Sequence, residues 1–139
     1  MWLIAFVEPT SGRNIWFLVP GLNTIVFQVV LDSFARGLKI EENKKILLVL
    51  DQAPWHTTGK LIAPRGVELV FLPPYSPELQ PAEHLWALSD KVLFNKTFDD
   101  LDQLENVLVA QCENLMASED VVSRATLFYW WKNAFIELN

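Results

Sequence analysis

The order of apolar and polar residues along the chain predicts alternating short strands and helices. Two apolar runs near the start, Trp2–Val7 and Asn14–Val19, flank a polar segment that contains Pro9 and Gly12. Apolar runs of this length on either side of a turn segment are typical of a β-hairpin. We therefore expect two antiparallel strands here.

A helix is predicted after this hairpin. Asn23 or Thr24 can cap its start, and Gly37 ends it. Apolar residues recur at helical spacing between these limits, which indicates one buried face. The residues expected on that face are Ile25, Val26, Val29, Val30 and Phe34.

Two further apolar runs, Ile46–Leu50 and 67–72, predict buried strands. Each is too short for a typical helix and rich in branched side chains, as expected of strands covered on both faces. Pro54 and Gly59 limit the segment between them to a turn or a short helix. Strands and helices thus alternate, which indicates the α/β class.

A proline-rich segment follows the second of these strands and is predicted to be a stiff, extended connector. Its residues disfavour both strand and helix. They are Pro73, Pro74, Ser76 and Pro77. Pro81 then suits the first position of a helix, which we expect to run to about Leu93.

The last third of the chain predicts two more helices. Thr97, with Asp100 three residues later, opens the first of them, and Ser118 opens the second. The apolar residues expected to face inward in the first are Leu101, Leu104, Leu108 and Leu115. No repeat or linker divides the sequence, so we expect a single domain over residues 1–139.

The composition narrows the class of protein. A chain of 139 residues that is 51% hydrophobic can bury a sizeable core, which excludes disorder over most of its length. A single cysteine, Cys112, excludes an internal disulfide and a cysteine-built zinc site. Neither a signal peptide nor an apolar run of about 18 residues is present, so we expect a soluble, cytoplasmic protein with no membrane partner.

The net charge of −6 arises in the C-terminal part of the chain. Residues 1–82 carry seven acids and seven bases, whereas residues 83–139 carry ten acids and four bases. A sequence-independent grip on nucleic acid normally needs a cluster of basic residues. If the protein acts on DNA, another segment must hold that DNA.

Two acids stand out as candidates for chemistry. Asp51 ends a buried strand, where open parallel sheets present functional groups, and a carboxylate there is costly unless it is paired or bound to metal. Glu83 falls in the first turn of the helix after Pro81, where it could equally well stabilise the helix dipole. His56 and His84 suit either half-buried packing or metal binding. We expect the two carboxylates to converge.

Two sequence blocks resemble a known family. LVLDQAPWH and FLPPYSPELQPAEHLW are similar to the second and third catalytic blocks of bacterial insertion-sequence transposases of the mariner superfamily. The resemblance implies a ribonuclease-H-like mixed sheet flanked by helices and a DDE triad. It assigns Asp51 as the second acid and Glu83 as the third, with 31 residues between them. His56 and Gln80, which stands where many members carry asparagine, would position DNA or water.

The resemblance also implies an activity: metal-dependent phosphodiester cleavage and strand transfer in DNA transposition. Two Mg²⁺ or Mn²⁺ ions would serve the complete site, with Asp51 contacting both and Glu83 one. The implied partners are transposon-end DNA and target DNA.

The first acid of the triad has no match in this sequence. In the family it lies on a strand before the hairpin, so we expect an N-terminally truncated catalytic domain with its first strand missing. Glu8 and Asp32 are the only acids early enough to substitute, and we expect neither to reach the site. Such a fragment is expected to be inactive without full-length transposase or an upstream segment.

The missing strand would leave a slot in the sheet between Trp2–Val7 and Ile46–Leu50. Exposed strand edges readily pair with another strand. We expect these two segments to close up within one chain, and a homodimer that fills the slot is the alternative.

Two other functions are compatible with the sequence. One is a different metal-dependent nuclease on a ribonuclease-H-like fold, such as a resolvase. The other is a non-catalytic remnant that oligomerises or binds a partner.

Overall fold

The computed structural model describes residues 1–39, 45–57 and 59–128. These residues form four strands and five helices, which confirms the predicted α/β class. In chain order they are β1 (Trp2–Val7), β2 (Asn14–Val19), α1 (Thr24–Leu38), β3 (Ile46–Leu50), α2 (Pro54–Thr57), β4 (Val67–Phe71), α3 (Leu85–Asp90), α4 (Leu101–Met116) and α5 (Glu119–Thr126). Short 3-10 helices lie at Pro77–Leu79 and Pro81–His84.

The chain divides into two compact units. The first comprises residues 1–3 and 17–80, and the second comprises residues 4–16 and the chain from residue 81 onward. Strands β1 and β2 pair with each other as the sequence predicts, and each contributes residues to both units.

Helix α1 is the main apolar element of the first unit. The Asn23 side chain accepts a hydrogen bond from the Val26 N–H at 2.9 Å, so the predicted cap is confirmed. The buried face consists of Phe27, Val30, Leu31 and Phe34. Ile25 and Val29 are 76% and 59% exposed, so placing them inward was wrong. The buried stripe follows helical spacing from Phe27, which turns these two side chains away from it.

Strands β3 and β4 form a parallel pair in the first unit. Ile46 lies opposite Val67, and Leu50 lies opposite Phe71. Both strands were predicted, although β4 ends one residue early. The expectation that both faces of β3 are buried was wrong, because Leu47 is 64% exposed.

The expected pairing of β1 with β3 was also wrong. The described residues form two separate two-stranded sheets, one of β1 and β2 and one of β3 and β4. Each pair thus consists of strands that are consecutive in the sequence. A hairpin turn connects β1 to β2, and a short crossover connects β3 to β4.

The second unit has a core built from its helices and the hairpin. Leu85, Leu115 and Val122 are buried there. Partly buried apolar side chains pack against them, namely Ala5, Val7, Trp16 and Leu88. The core therefore contains residues from both segments of this unit, the hairpin and the helices that follow residue 81.

The hairpin turn is fixed to the helices of the second unit by polar contacts. The buried Asn14 amide donates to the Gly12 carbonyl at 2.8 Å and to the Leu115 carbonyl at 3.0 Å. The Ser123 hydroxyl donates to the Pro9 carbonyl at 2.8 Å. Gly12 has φ of +79°, and a Cβ atom there would lie 1.7 Å from the Glu119 carbonyl oxygen. The turn thus requires glycine at this position.

The helices of the second unit start and end at slightly different residues from those predicted. The helix expected from Pro81 to about Leu93 begins as a 3-10 turn, and its α-helical part, α3, ends at Asp90. Helix α4 is capped by Asp100, not Thr97, because the Asp100 carboxylate accepts from the Gln103 N–H at 2.8 Å. The predicted start of the last helix at Ser118 is confirmed.

The buried face of α4 is only partly as predicted. Leu108, Cys112 and Leu115 are buried, whereas Leu101 is 73% exposed. Burial raises the pKa of the Cys112 thiol to about 11. Within the described part of the chain, none of the helices is both long and apolar enough to cross a membrane.

Candidate active site

Asp51 is the best-defined candidate side chain. It follows β3 directly, and its side chain is 53% exposed. Its Oδ1 atom accepts hydrogen bonds from the Ala53 N–H at 3.1 Å and from His56 Nδ1 at 2.8 Å. No donor among the described residues is paired with Oδ2. One carboxylate oxygen is therefore held in place while the other can bind a ligand.

His56 contacts Asp51 through a single ring nitrogen. Its Nδ1 also lies 3.2 Å from the Asp51 carbonyl oxygen. Because the carbonyl and the carboxylate oxygens only accept hydrogen bonds, Nδ1 must carry the proton. The ring packs on Phe27, with centroids 4.3 Å apart and planes inclined by 52°, and only 11% of the side chain is exposed. His56 thus has the packing role that the sequence allowed, together with a contact to Asp51 that was not predicted; metal binding by His56 stays a prediction.

The local sequence explains how Asp51 and His56 meet. Pro54 begins α2, where its lack of an N–H costs no helical hydrogen bond. The His56 N–H then donates to the Ala53 carbonyl at 2.9 Å, which turns the histidine back toward the strand end. A carboxylate that bonds to the N–H two residues later is a common turn arrangement for aspartate.

Gln52 is a positioning residue that the sequence pattern did not single out. Its side-chain amide donates to the Leu72 carbonyl at 3.0 Å, and the Leu72 N–H donates to the Leu50 carbonyl at 2.8 Å. These bonds tie the start of the proline-rich connector to the end of the Asp51 strand. The sequence did contain a sign of this role, since Gln52 is a polar residue directly after the acid that ends the strand.

The connector is less extended than predicted, because residues Pro77–Leu79 form a 3-10 turn. Tyr75 is fully exposed and has φ of +55°, a left-handed conformation that is uncommon for a large side chain. Gln80 is half-buried, and its backbone N–H donates to the Pro77 carbonyl at 3.0 Å. Its side-chain amide has no hydrogen-bond partner among the described residues.

Glu83 belongs to the second unit and lies in the 3-10 turn Pro81–His84. The residue is exposed, and its carboxylate has no hydrogen bond or ion pair within the described ranges. Leu85, two residues later, is fully buried and anchors this segment. The convergence of Glu83 with Asp51 stays a prediction.

The other histidine and early acids have structural contacts. The His84 ring packs edge-on against Phe128, with centroids 4.8 Å apart. Asp32 Oδ1 accepts from the Gln28 side chain at 3.0 Å, and Glu8 lies beside the hairpin turn, where its backbone bonds to Gly12 and Arg13. The His84 and Asp32 side chains thus have local contacts, and Glu8 contributes its backbone to the hairpin turn.

Asp51 Oδ2 and the Glu83 carboxylate, which have no partner among the described residues, suit a hard divalent cation, because Mg²⁺ and Mn²⁺ favour carboxylate ligands. Across residues 1–39, 45–57 and 59–128, no group of three or more histidine, cysteine or acidic side chains is arranged to hold a metal ion. Asp51 and Glu83 are therefore individual ligand candidates.

Comparison with known proteins gives two matches. The model of the family described as DDE superfamily endonuclease matches residues 1–105, which include Asp51, His56, Gln80 and Glu83. The "Uncharacterized protein y4pE/y4sA" of Sinorhizobium fredii (strain NBRC 101917 / NGR234) is 37% identical over 107 residues, covering 75% of this chain and 78% of that protein. No solved structure matches the chain. The narrower resemblance to the mariner superfamily stays a prediction.

Proposed function

This chain belongs to the DDE superfamily of endonucleases, and we propose that it serves DNA transposition within the mariner group of transposases. In this proposal it supplies two of the three acids for phosphodiester cleavage and strand transfer, acting on transposon-end and target DNA. The observation that carries the proposal is the Asp51 carboxylate, which ends a strand with one oxygen fixed by Ala53 and His56 and the other unpaired in the described chain.

Asp51 and Glu83 are the proposed metal ligands. The hydrogen bonds to Asp51 Oδ1 limit rotation of the carboxylate, so less conformational entropy is lost when Oδ2 binds a cation. Glu83 is exposed and needs to break no described contact to bind. When bound, Mg²⁺ or Mn²⁺ ions would activate the attacking oxygen and stabilise the leaving one.

His56 and Gln80 are proposed positioning residues for DNA or water. His56 Nδ1 holds Asp51, which leaves Nε2 as the ring nitrogen that can contact a water or a phosphate oxygen. Gln80 lies three residues before Glu83, and its amide has no described partner that a ligand would displace. The remaining acid and the grip on DNA would come from full-length transposase or an upstream segment.

A Mn²⁺ titration followed by amide NMR tests the metal site. Paramagnetic broadening should begin with the amide signals near Asp51, including Ala53, and with those near Glu83. Asp51→Asn should remove the first set and Glu83→Gln the second, because each amide is a far weaker cation ligand than the carboxylate.

Asp32→Asn is the matched control, because it removes one carboxylate of α1 and leaves both candidate ligands intact. It should broaden like the unsubstituted chain. Broadening near Asp51 that persists in Asp51→Asn would refute the assignment of this carboxylate.

A further inference from the structure

Strand β3 has one edge paired with β4 and one edge without a described partner. The Ile46 N–H donates to the Gly66 carbonyl, and the Leu50 carbonyl accepts from the Leu72 N–H, each at 2.8 Å. In the parallel register, Ile46, Leu48 and Leu50 therefore direct their backbone groups toward β4. Leu47 and Val49 direct theirs toward the opposite edge, where no strand is paired among the described residues.

This edge lacks the features that normally prevent strand association. Strand β3 contains no charged residue and no proline, and Leu47 is 64% exposed. Natural edge strands usually carry charges, prolines or bulges that discourage pairing, and parallel sheets are usually covered on both faces. By contrast, β4 carries Glu68 in the strand itself. The edge of β3 that has no partner among the described residues is thus suited to another strand.

The charges that flank β3 indicate which strand fits. Lys45 directly precedes it and Asp51 directly follows it. If two β3 strands pair antiparallel about Leu48, Leu47 lies opposite Val49 of the second copy, and Lys45 lies opposite its Asp51. Opposite charges then meet at both ends of the pair, a favourable cross-strand arrangement.

The backbone geometry agrees with this register. Leu47 and Val49 are the residues whose N–H and C=O groups point to the edge without a described partner, so each would exchange two hydrogen bonds with its opposite residue. The Leu48 pair at the centre would be a non-hydrogen-bonded pair. Symmetric pairing about Leu47 would instead place Val49 of the second copy opposite Lys45, and symmetric pairing about Val49 would place Leu47 of the second copy opposite Asp51.

We propose that β3 is a self-association strand, through which two copies of this chain pair antiparallel about Leu48 and form a four-stranded sheet. The Lys45–Asp51 pairs select this register. The association rests on the strand edge and on its flanking charges, Lys45 and Asp51.

Sedimentation velocity of the 139-residue chain tests the association. A single-strand interface is small, so the concentration series should extend to about 100 µM. The sedimenting mass should rise with concentration toward twice the 16.0 kDa of one chain. A monomer at every concentration would overturn the proposal, as would a stable complex held by another segment.

Charge-reversal variants test the register. Lys45→Glu and Asp51→Lys should each raise the dimer dissociation constant about tenfold or more, because like charges then face each other at both ends. An equimolar mixture of the two variants should form a heterodimer, since opposite charges meet again. Lys96→Glu, at an exposed residue of the second unit, changes the net charge by the same amount as Lys45→Glu and should dimerise normally.

Cysteine cross-linking gives a second readout that does not depend on charge. Leu48→Cys should form an intermolecular disulfide, because the Cα atoms of a non-hydrogen-bonded pair lie about 4.5 Å apart, a separation that a disulfide can span. Leu47→Cys should not, although Leu47 is the more exposed, because its two copies lie diagonally. The native Cys112 is buried and should not compete. Cross-linking of Leu47→Cys in preference to Leu48→Cys would refute the register.

Discussion

At the scale of single residues, His56 makes two contacts, a hydrogen bond to Asp51 and a packing contact with Phe27. Measurements of ligand binding and of stability can separate their effects. The Nδ1 atom of His56 holds the Asp51 carboxylate, and the ring packs on Phe27. The hydrogen bond connects His56 to the exposed carboxylate of Asp51, whereas the rest of the His56 side chain is largely buried. The first contact should matter for ligand binding and the second for stability.

We predict that His56→Phe weakens Mn²⁺ binding but changes the free energy of unfolding by less than about 1 kcal/mol, because the ring packing is kept. His56→Ala should weaken Mn²⁺ binding and also lower the unfolding free energy by about 2–3 kcal/mol, because the packing is lost. Urea unfolding and Mn²⁺ titration measure the two effects. Equal stability of the two variants would contradict the packing role.

Gly12 gives a second prediction at this scale. Gly12→Ala should lower the unfolding free energy by more than about 2 kcal/mol, because it combines a left-handed φ with backbone overlap. The added Cβ would lie 1.7 Å from the Glu119 carbonyl oxygen. Gly21→Ala is the matched control, since a Cβ there meets nothing within 4 Å. Urea unfolding of both variants should separate them, and similar losses would show that the hairpin turn is not fixed to α5.

At the scale of elements, the start of α4 shows how a sequence signal can select the wrong residue. Thr97 and Asp100 have the spacing of a capping box, but Asp100 and Gln103 have it too, and they form the cap. The Gln103 side chain accepts from the Asp99 N–H at 2.8 Å, and the Asp100 side chain accepts from the Gln103 N–H at 2.8 Å. The sequence alone does not decide between two overlapping boxes.

Alanine substitutions distinguish the two caps. Asp100→Ala should lower the unfolding free energy by about 1 kcal/mol, because the Gln103 N–H loses its acceptor. Thr97→Ala should change it by less than about 0.5 kcal/mol, because the residue lies outside the observed cap. Thermal or urea unfolding measures both. A larger loss for Thr97→Ala would indicate that the helix starts earlier in solution.

Strand positions were more predictable than strand surroundings. Strands β1, β2 and β3 begin and end at the predicted residues, because each is a short apolar run between turn or polar residues. The burial of Leu47 and the pairing of β1 with β3 were mispredicted, because both depend on which element covers a strand. Ile25 and Val29 in α1 are a similar case. The spacing of apolar residues predicts that one face of the helix is buried, but it does not fix which of the apolar residues lie at the centre of that face.

At the scale of the whole molecule, the positions of the candidate site residues were likewise easier to predict than their contacts. The sequence placed Asp51 at a strand end and Glu83 in a first helical turn, and the local structure has both there. The Asp51–His56 bond was less predictable, because it depends on how α2 turns back to the strand. The joint geometry of Asp51 and Glu83 depends on contacts between distant parts of the chain, which neither spacing nor composition specifies.

The chain alone is predicted to have no useful nuclease activity. Supercoiled plasmid incubated with the 139-residue protein and Mg²⁺ or Mn²⁺ should be nicked no faster than with Asp51→Ala. Two carboxylates are too few to bind two cations well. Residues 83–139 carry an excess of acids, which disfavours binding to DNA phosphates. Losing both ion placement and substrate positioning removes a large part of the rate enhancement, since positioning alone contributes about 7–11 kcal/mol in well-oriented reactions.

Asp51→Ala serves as the control for contaminating nucleases, because it removes a proposed ligand and leaves purification unchanged. Equal, slow nicking by both proteins is the expected result. Robust metal-dependent cleavage by the unsubstituted chain that Asp51→Ala abolishes would overturn the prediction. It would also mean that the 139 residues hold a complete set of ligands, with the third supplied by this chain or by its second copy.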